Sequence, residues 1–118
     1  MDVRRKGYRK PRAITFGAYR ETWYERGQRK RGWSDWTVGQ YRQVLDRLGE
    51  FFDPMPLDAI RPRHVAAYVS ERTGDYAPAT VGRDLSLLHD VLATAVREEL
   101  LVSNPASGAE HPRLPRRN

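Results

Sequence analysis

Residues 78–98, PATVGRDLSLLHDVLATAVRE, decide the fold, because they carry the longest helical pattern in the chain. Apolar side chains recur there every three or four residues, as on one face of an α-helix. They are Val81, Leu85, Leu88, Leu92 and Ala95. Leu87 and Val91 widen this stripe, which is typical of a helix that packs against neighbours on two sides. We therefore expect a buried fourth helix that begins at about Pro78 or Thr80 and ends at about Glu98.

The first of three earlier helical patterns begins after Thr15, whose hydroxyl suits the N-cap position. Its apolar face is aromatic, with side chains at i, i+3 and i+7: Phe16, Tyr19 and Trp23. Gly27 favours the end of a helix, so we expect the first helix to run to about Arg26.

The second pattern begins at Thr37-x-x-Gln40, the spacing of a capping box, with Trp36 and Tyr41 placed as a hydrophobic staple. Its apolar stripe continues through Val38, Tyr41, Leu45 and Leu48. Asp53-Pro54 and Pro56 follow within a few residues of Phe52 and end the helix.

A third helix is expected from Pro62, since proline suits the first turn, to a stop near Gly74. Its buried face consists of Val65, Tyr68 and Val69. Leu57 and Ile60 lie just upstream and are expected to close one side of the core. Because the sequence contains no alternating strand pattern, it predicts an all-α fold, a compact four-helix bundle.

Composition excludes several classes of function. At 118 residues the chain is of single-domain size, and it has no cysteine for disulfides or zinc thiolates. His64, His89 and His111 share no metal-ligand spacing, and neither a phosphate-cradling glycine loop nor a nucleophile motif occurs. We therefore expect no cofactor, metal, small-molecule substrate or catalysis by this chain. No apolar run suits a membrane span. The lack of cysteine is consistent with a cytoplasmic protein, which is the compartment we expect.

The positive charge is concentrated at the two ends of the chain. The formal net charge is +6, yet residues 1–13 hold six basic groups against one acid, and residues 113–118 hold three arginines. The remainder carries a small negative excess. One basic cluster, which lies around Gly27 and Gly32, interrupts this acidic stretch at Arg26, Arg29, Lys30 and Arg31. We interpret this cluster as a phosphate-binding loop between helices and the ends as a basic arm and linker.

The order of several short motifs is more specific than any one of them. Thr37-x-x-x-Tyr41 precedes Pro56-Leu57-x-x-Ile60 and Val65-x-x-Tyr68-Val69. ATVGRDLSLL at residues 79–88 follows, then Ala95 and Asn104-Pro105. This order resembles the N-terminal core-binding (SAM-like) domain of phage integrases and other tyrosine recombinases. One departure is Arg61-Pro62, where the family often has a capping threonine before the third helix.

The resemblance implies a DNA-binding clamp that grips the core of an attachment site and contains no catalytic residue. In such recombinases the catalytic arginines, lysine, His-x-x-Arg motif and tyrosine lie in a separate C-terminal domain. The implied organisation is a flexible basic arm at 1–13, the helical domain at 14–106 and a linker at 107–118. The implied partners are double-stranded DNA and other recombinase protomers.

The expected DNA contacts are residues that lie outside the apolar stripes, on other faces of their helices. By the resemblance, helices two and four present their N-terminal regions to the major groove, where free N–H groups favour phosphate. The candidates on these helices are Thr37, Gln40, Gln43, Thr80, Arg83 and Ser86. Phosphate contacts are expected from Arg29, Lys30, Arg31, Arg113, Arg116 and Arg117. Trp33 suits either a sugar contact or a cover for the end of the core.

Two other classes of function remain open on the sequence alone. A stand-alone helix-turn-helix regulator needs two short helices joined by a tight turn, and the stretch from Arg72 to Pro78 is longer than usual for that role. A protein-interaction bundle accounts for the slightly acidic body, but not for the basic cluster or the basic ends. Salt-dependent DNA binding separates the interaction bundle from the two DNA-binding alternatives.

Overall fold

Four α-helices form the part of the chain that the computed structural model describes, residues 13–110. They are α1 (Phe16–Arg31), α2 (Asp35–Phe52), α3 (Pro62–Thr73) and α4 (Pro78–Arg97), with a 3₁₀ turn at Leu57–Ala59. These residues contain no β-strand, and Thr15 and Pro56 form one isolated antiparallel bridge. The predicted all-α four-helix bundle is therefore confirmed.

Helix α1 begins where the sequence indicates but ends five residues later than expected. Thr15 is the N-cap, and its Oγ accepts from the N–H of Ala18 at 3.2 Å. Gly27 does not end the helix, because it lies inside it, where a Cβ would be 2.1 Å from the indole of Trp33. The helix ends at Gly32, whose φ of 61° is the left-handed conformation that glycine adopts without strain. The predicted phosphate-binding loop is thus the last turn of α1.

Helix α2 begins earlier than the predicted capping box requires. Ser34 is the N-cap, and its Oγ accepts from the N–H of Thr37 at 3.2 Å. Thr37 is therefore the third residue of the helix, and the capping box with Gln40 is wrong. The staple is wrong as well, because Trp36 lies within the helix and is 74% exposed. Ser34 and Thr37 both have hydroxyl side chains that suit an N-cap. Ser34, the earlier of the two, occupies the position.

Helices α3 and α4 begin and end close to the predicted residues. Pro62 and Pro78 are their first residues, and Gly74 follows the end of α3. The ring Nδ1 of His64 accepts from the N–H of Arg61 at 2.9 Å. A histidine side chain thus satisfies a free N–H at the start of α3.

The core lies between α4 and the other helices. Every residue of the predicted α4 stripe is buried, as are Leu57, the first residue of the 3₁₀ turn, and Ile60, which follows the turn. Val65 and Tyr68 of α3 are buried and Val69 is half-buried. Each large apolar side chain removed from water contributes about 1.5–3 kcal/mol. Burial of this stripe fixes which face of α4 remains in solvent.

An arginine clamp fixes α1 against α2 in antiparallel order. Nε and Nη2 of Arg20 each donate to Asp53 at 2.8 Å, and Nη1 donates to Glu21 at 2.7 Å. At the other end of the pair, Tyr24 donates to the carbonyl of Val38 at 2.8 Å. These contacts hold the first turns of α2 beside the last turns of α1.

Candidate nucleic-acid interface

The positive charges of the described residues divide into two groups. Residues 13–110 contain twelve basic and fourteen acidic side chains. Five arginines form ion pairs inside the bundle with glutamate or aspartate: Arg20, Arg26, Arg42, Arg47 and Arg72. The other seven are exposed and form no ion pair with another described residue: Arg29, Lys30, Arg31, Arg61, Arg63, Arg83 and Arg97. All four described cations predicted to contact DNA belong to this second group.

The last turn of α1 presents three of these cations. All three, Arg29, Lys30 and Arg31, are exposed. The helix dipole stabilises positive charge at the C-terminus of a helix. A shallow groove of about 120 Å³ is lined by Trp23, Arg26, Gly27, Lys30, Arg31, Trp33 and Thr94. Arg26 was expected to belong to this cluster, but its guanidinium is bound to Glu98. Arg29, Lys30 and Arg31 are therefore the cations here that form no ion pair with another described residue, and we call these three the basic surface.

A larger groove of about 400 Å³ lies between α2 and α4. We call it the α2–α4 groove. Its apolar residues are Trp36, Tyr41, Val44 and Leu87, and its polar residues are Gln40, Arg83, Ser86 and Asp90. Three side chains that the sequence indicated as DNA contacts, from two different helices, thus meet in one concave surface.

The remaining candidates on these helices lie outside the lining of that groove. Gln43 is exposed on α2, and Thr80 is half-buried in the first turn of α4. The hydroxyl of Thr37 is 3.1 Å from that of Ser34 and belongs to the cap of α2. Arg113, Arg116 and Arg117, with most of the predicted arm, lie outside the described residues.

Trp36 is the groove residue that the sequence analysis misassigned. It is the most exposed aromatic side chain of the bundle at 74%, and it lies one turn before Gln40. Trp36 lines the α2–α4 groove together with Tyr41, Val44 and Leu87, so it adds exposed apolar area to that groove. The spacing of Trp36, Gln40 and Gln43 at i, i+4 and i+7 on one helix side is the signal that could have revealed it.

A buried ionic contact positions the α4 wall of the groove. The Asp84 side chain is completely buried, and it accepts from Nε and Nη2 of Arg47 at 3.1 and 2.6 Å. The hydroxyl of Tyr68 on α3 donates to the same carboxylate at 2.6 Å. Burial and the Asp84 contact raise the pKa of Tyr68, and the hydrogen bond to Asp84 raises that of Arg47. Since Asp84 anchors its side of α4, Arg83 points outward.

Two aromatic rings connect the basic surface to the α2–α4 groove. Trp33 packs edge-on against Tyr41, with ring centroids 4.8 Å apart. Trp33 lines the groove beside the trio, and Tyr41 lines the α2–α4 groove. Trp33 also packs on Trp23 and Tyr24, which supports the predicted role as a cover for the end of the core. The cations and the polar groove residues thus occupy adjoining surfaces.

The exposed groups of the described residues are cations and hydrogen-bonding side chains. Among residues 13–110, no three histidine, aspartate or glutamate side chains are grouped as a metal site. In the same range no helix has both the length and the apolar character that crossing a bilayer requires. The arrangement can bind a polyanion at its cations and donate or accept hydrogen bonds in its groove.

Structural comparison identifies several solved chains with the same fold. Two crystal structures of a lambda integrase dimer bound to a COC′ core site match with TM-scores of 0.80 and 0.81, at 17% and 16% identity. They cover 88% and 98% of this chain, which spans only 38% and 35% of theirs. The solution structure of a phage integrase SAM-like domain from Moorella thermoacetica matches with a TM-score of 0.65 and 22% identity. That match covers 92% of this chain and 93% of the other.

Sequence comparison gives the family. No curated protein sequence matches the chain at a significant level. The family described as "Phage integrase, N-terminal SAM-like domain" matches residues 21–99, which include most of α1 and all of α2, α3 and α4. The motif order noted in the sequence lies largely within this range, and the bundle has the fold of the solved integrase domains. The chain therefore belongs to the phage integrase N-terminal SAM-like domain family.

Proposed function

We propose that this chain is the DNA-binding clamp of a tyrosine site-specific recombinase and grips the core of an attachment site. The observation that carries the proposal is the convergence of Gln40, Arg83 and Ser86 in the α2–α4 groove. Arginine donates two hydrogen bonds to guanine, glutamine pairs with adenine, and serine suits several bases. The solved lambda integrase dimers are bound to a core site, which supports the same ligand for this chain.

The exposed trio beside the groove supplies the electrostatic part of the proposal. Phosphate contacts position a protein on the duplex, whereas contacts to base edges give sequence preference. Arg29, Lys30 and Arg31 have the first role, and Arg83 has the second. The trio and the groove adjoin through Trp33 and Tyr41, so one duplex can contact both surfaces.

The proposal includes the organisation of the parent protein. Residues 14–106 are the binding domain, and 107–118 lead towards a catalytic domain that breaks and rejoins DNA strands, while this domain binds without catalysis. Its partners are double-stranded DNA and other recombinase protomers, in the cytoplasm of a bacterial or phage-infected cell. Reading the source gene beyond codon 118 tests this organisation. A downstream arginine, a His-x-x-Arg motif and a late tyrosine support it, and a stop codon soon after Asn118 contradicts it.

Salt-dependent binding to duplex DNA tests the function directly. We expect the chain to bind short duplexes with an affinity that falls steeply as the salt concentration rises. Arg83→Ala should weaken binding to the preferred duplex by an amount on the order of 1–3 kcal/mol and relax preference at one position. Arg97→Ala, at the far end of α4, is the matched control and should leave that preference unchanged. Absence of binding at low salt contradicts the proposal.

A protein-interaction bundle is the second candidate, and the charge of the bundle favours it. The described residues have two more acidic than basic side chains, which does not assist DNA binding. If neither the wild-type chain nor Arg83→Ala binds DNA at low salt, the result supports this alternative.

A further inference from the structure

Asp90 is an uncompensated negative charge in the α2–α4 groove. Its side chain is 64% exposed, and its carboxylate accepts no hydrogen bond from another described residue. The nearest basic atom in that part of the chain is Nδ1 of His89 at 3.8 Å, which is charged only when the ring is protonated. By contrast, Asp53 and Asp84 are each bound by two nitrogens of one arginine.

A carboxylate in this position is unfavourable for a surface that only holds phosphates. Like charges a few ångströms apart repel even in water, and each phosphate of the duplex is an anion. A groove that served only as a phosphate cradle would have lysine or arginine in place of Asp90. The groove is therefore better suited to base edges, among which some present hydrogen-bond donors.

The major-groove edges of the four bases differ in what they offer to a carboxylate. Cytosine presents its N4 amino donor, whereas guanine presents only the acceptors N7 and O6, and thymine presents the acceptor O4. Adenine has an amino group beside the acceptor N7, which a carboxylate repels. A carboxylate thus selects cytosine by attraction and disfavours guanine and thymine by repulsion.

The spacing of Asp90 and Arg83 suits two contacts along one duplex. The two residues are seven positions apart on α4, which corresponds to two turns and a rise of about 10.5 Å. This distance is close to the rise of about three base pairs of B-DNA at ~3.4 Å each. The groove therefore presents a bidentate donor and a pure acceptor at a separation that fits neighbouring bases.

We propose that Asp90 is a specificity-determining residue that accepts a hydrogen bond from a cytosine N4 amino group and disfavours non-specific phosphate contact. The proposal rests on the proposed function, since it assumes that the groove faces duplex DNA. It adds that one residue of the groove lowers affinity for arbitrary sequences while it raises preference at one position.

The test is a selection from a randomised duplex pool with the full chain at low salt. The variants are Asp90→Asn, Arg83→Ala and, as a control with the same change of charge, Glu71→Gln on the exposed surface of α3. Wild type should enrich cytosine within about four base pairs of the position that Arg83→Ala relaxes. Asp90→Asn should lose that cytosine preference and bind random duplex about fivefold more tightly, as expected for the loss of one close repulsion. Glu71→Gln should keep the wild-type preference.

Each outcome separates the inference from the function beneath it. If wild type binds DNA but Asp90→Asn keeps the same preference, or gains no more affinity for random duplex than Glu71→Gln, the role of Asp90 is overturned and DNA binding stands. If wild type binds DNA but enriches no base at any position, the role of Asp90 is likewise overturned and DNA binding stands. If wild type binds no duplex in the pool, the proposed function is overturned and the inference fails with it.

Discussion

Arg47 of α2 binds both carboxylate oxygens of Asp84 on α4, although Asp84 is completely buried. Tyr68 of α3 donates to the same carboxylate, so that one side chain connects three helices. Burial of a carboxylate is unfavourable unless it is paired and hydrogen-bonded, and here both conditions are met. This contact also sets the rotation of α4 that leaves Arg83 in solvent.

Asp84→Asn should destabilise the bundle strongly, because it leaves the Arg47 guanidinium without its counter-charge. Loss of one partner of a buried pair typically lowers the free energy of unfolding by about 3–5 kcal/mol, and the lower end is expected because Arg47 keeps 19% side-chain exposure. Urea unfolding followed by circular dichroism measures the change. Asp90→Asn, an exposed carboxylate on the same helix, should change stability by less than about 0.5 kcal/mol. Equal stability of the two variants would contradict the structural role of Asp84.

Gly27→Ala and Gly39→Ala should change stability in opposite directions, although both replace a glycine inside a helix. At Gly39 nothing lies within 4 Å of the added Cβ, so alanine should stabilise by about 0.5–1 kcal/mol. At Gly27 the new Cβ would overlap the indole of Trp33, and such overpacking typically destabilises by about 1–3 kcal/mol. Thermal unfolding of both variants tests this contrast. An increase in stability for both would mean that Trp33 does not pack on α1.

Periodicity predicts most of the fold, and close packing explains where it fails. The α4 stripe is buried as predicted, because a long amphipathic pattern has one consistent burial face. Gly27 was expected to end α1, since glycine destabilises helices. Its role inside the helix depends on Trp33, six residues away in sequence but packed against it. The identity of Gly27 in the sequence does not show that Trp33 packs against it.

The sequence could predict site residues that lie outside an apolar stripe. It could not predict side chains whose hydrogen-bond partners are distant in sequence. Gln40, Arg83 and Ser86 could be selected because the stripes assign them to other faces of their helices. Asp84 gave no such signal, because it lies among apolar residues and its partners are 37 and 16 positions away. The sequence likewise could not separate Arg26, which Glu98 binds, from the exposed trio beside it.

Glu98 should stabilise the bundle above about pH 4.5 and lose that effect in acid. The hydrogen bond from Arg26 lowers the pKa of Glu98 below its ordinary value of 4.5, and Tyr19 also donates to this carboxylate. A depressed pKa means that the folded state binds the proton less readily, so stability is lost as the pH falls through the folded-state pKa. Unfolding of wild type and Glu98→Gln between pH 7 and pH 3 measures this. The difference should shrink as the pH falls below 4.5. A constant difference would show that the charge of Glu98 contributes nothing.

Lys30→Ala combined with Arg31→Ala should weaken DNA binding on every sequence and reduce its salt dependence. Each lost phosphate contact lowers the slope of log affinity against log salt by about 0.9, so two lost contacts give a change of up to about 1.8. Fluorescence anisotropy over a salt series measures it. The matched control is Arg61→Ala with Arg63→Ala, which removes two exposed charges beside the start of α3. If both double variants reduce the slope equally, the effect is one of net charge and not of the basic surface.

Trp36→Ala should reduce DNA affinity without loss of stability. The side chain is 74% exposed, so its removal should change the free energy of unfolding by no more than about 0.5 kcal/mol. On binding, a large aromatic side chain beside the α2–α4 groove is expected to bury apolar area, and its truncation should weaken affinity by about tenfold, or ~1.4 kcal/mol. Trp33→Ala provides the contrast, because Trp33 packs on Trp23, Tyr24 and Tyr41 and its loss should lower stability first. Wild-type affinity in a folded Trp36→Ala protein would mean that DNA does not reach the α2 side of the groove, and the proposed contacts would then be confined to α4 and the basic surface.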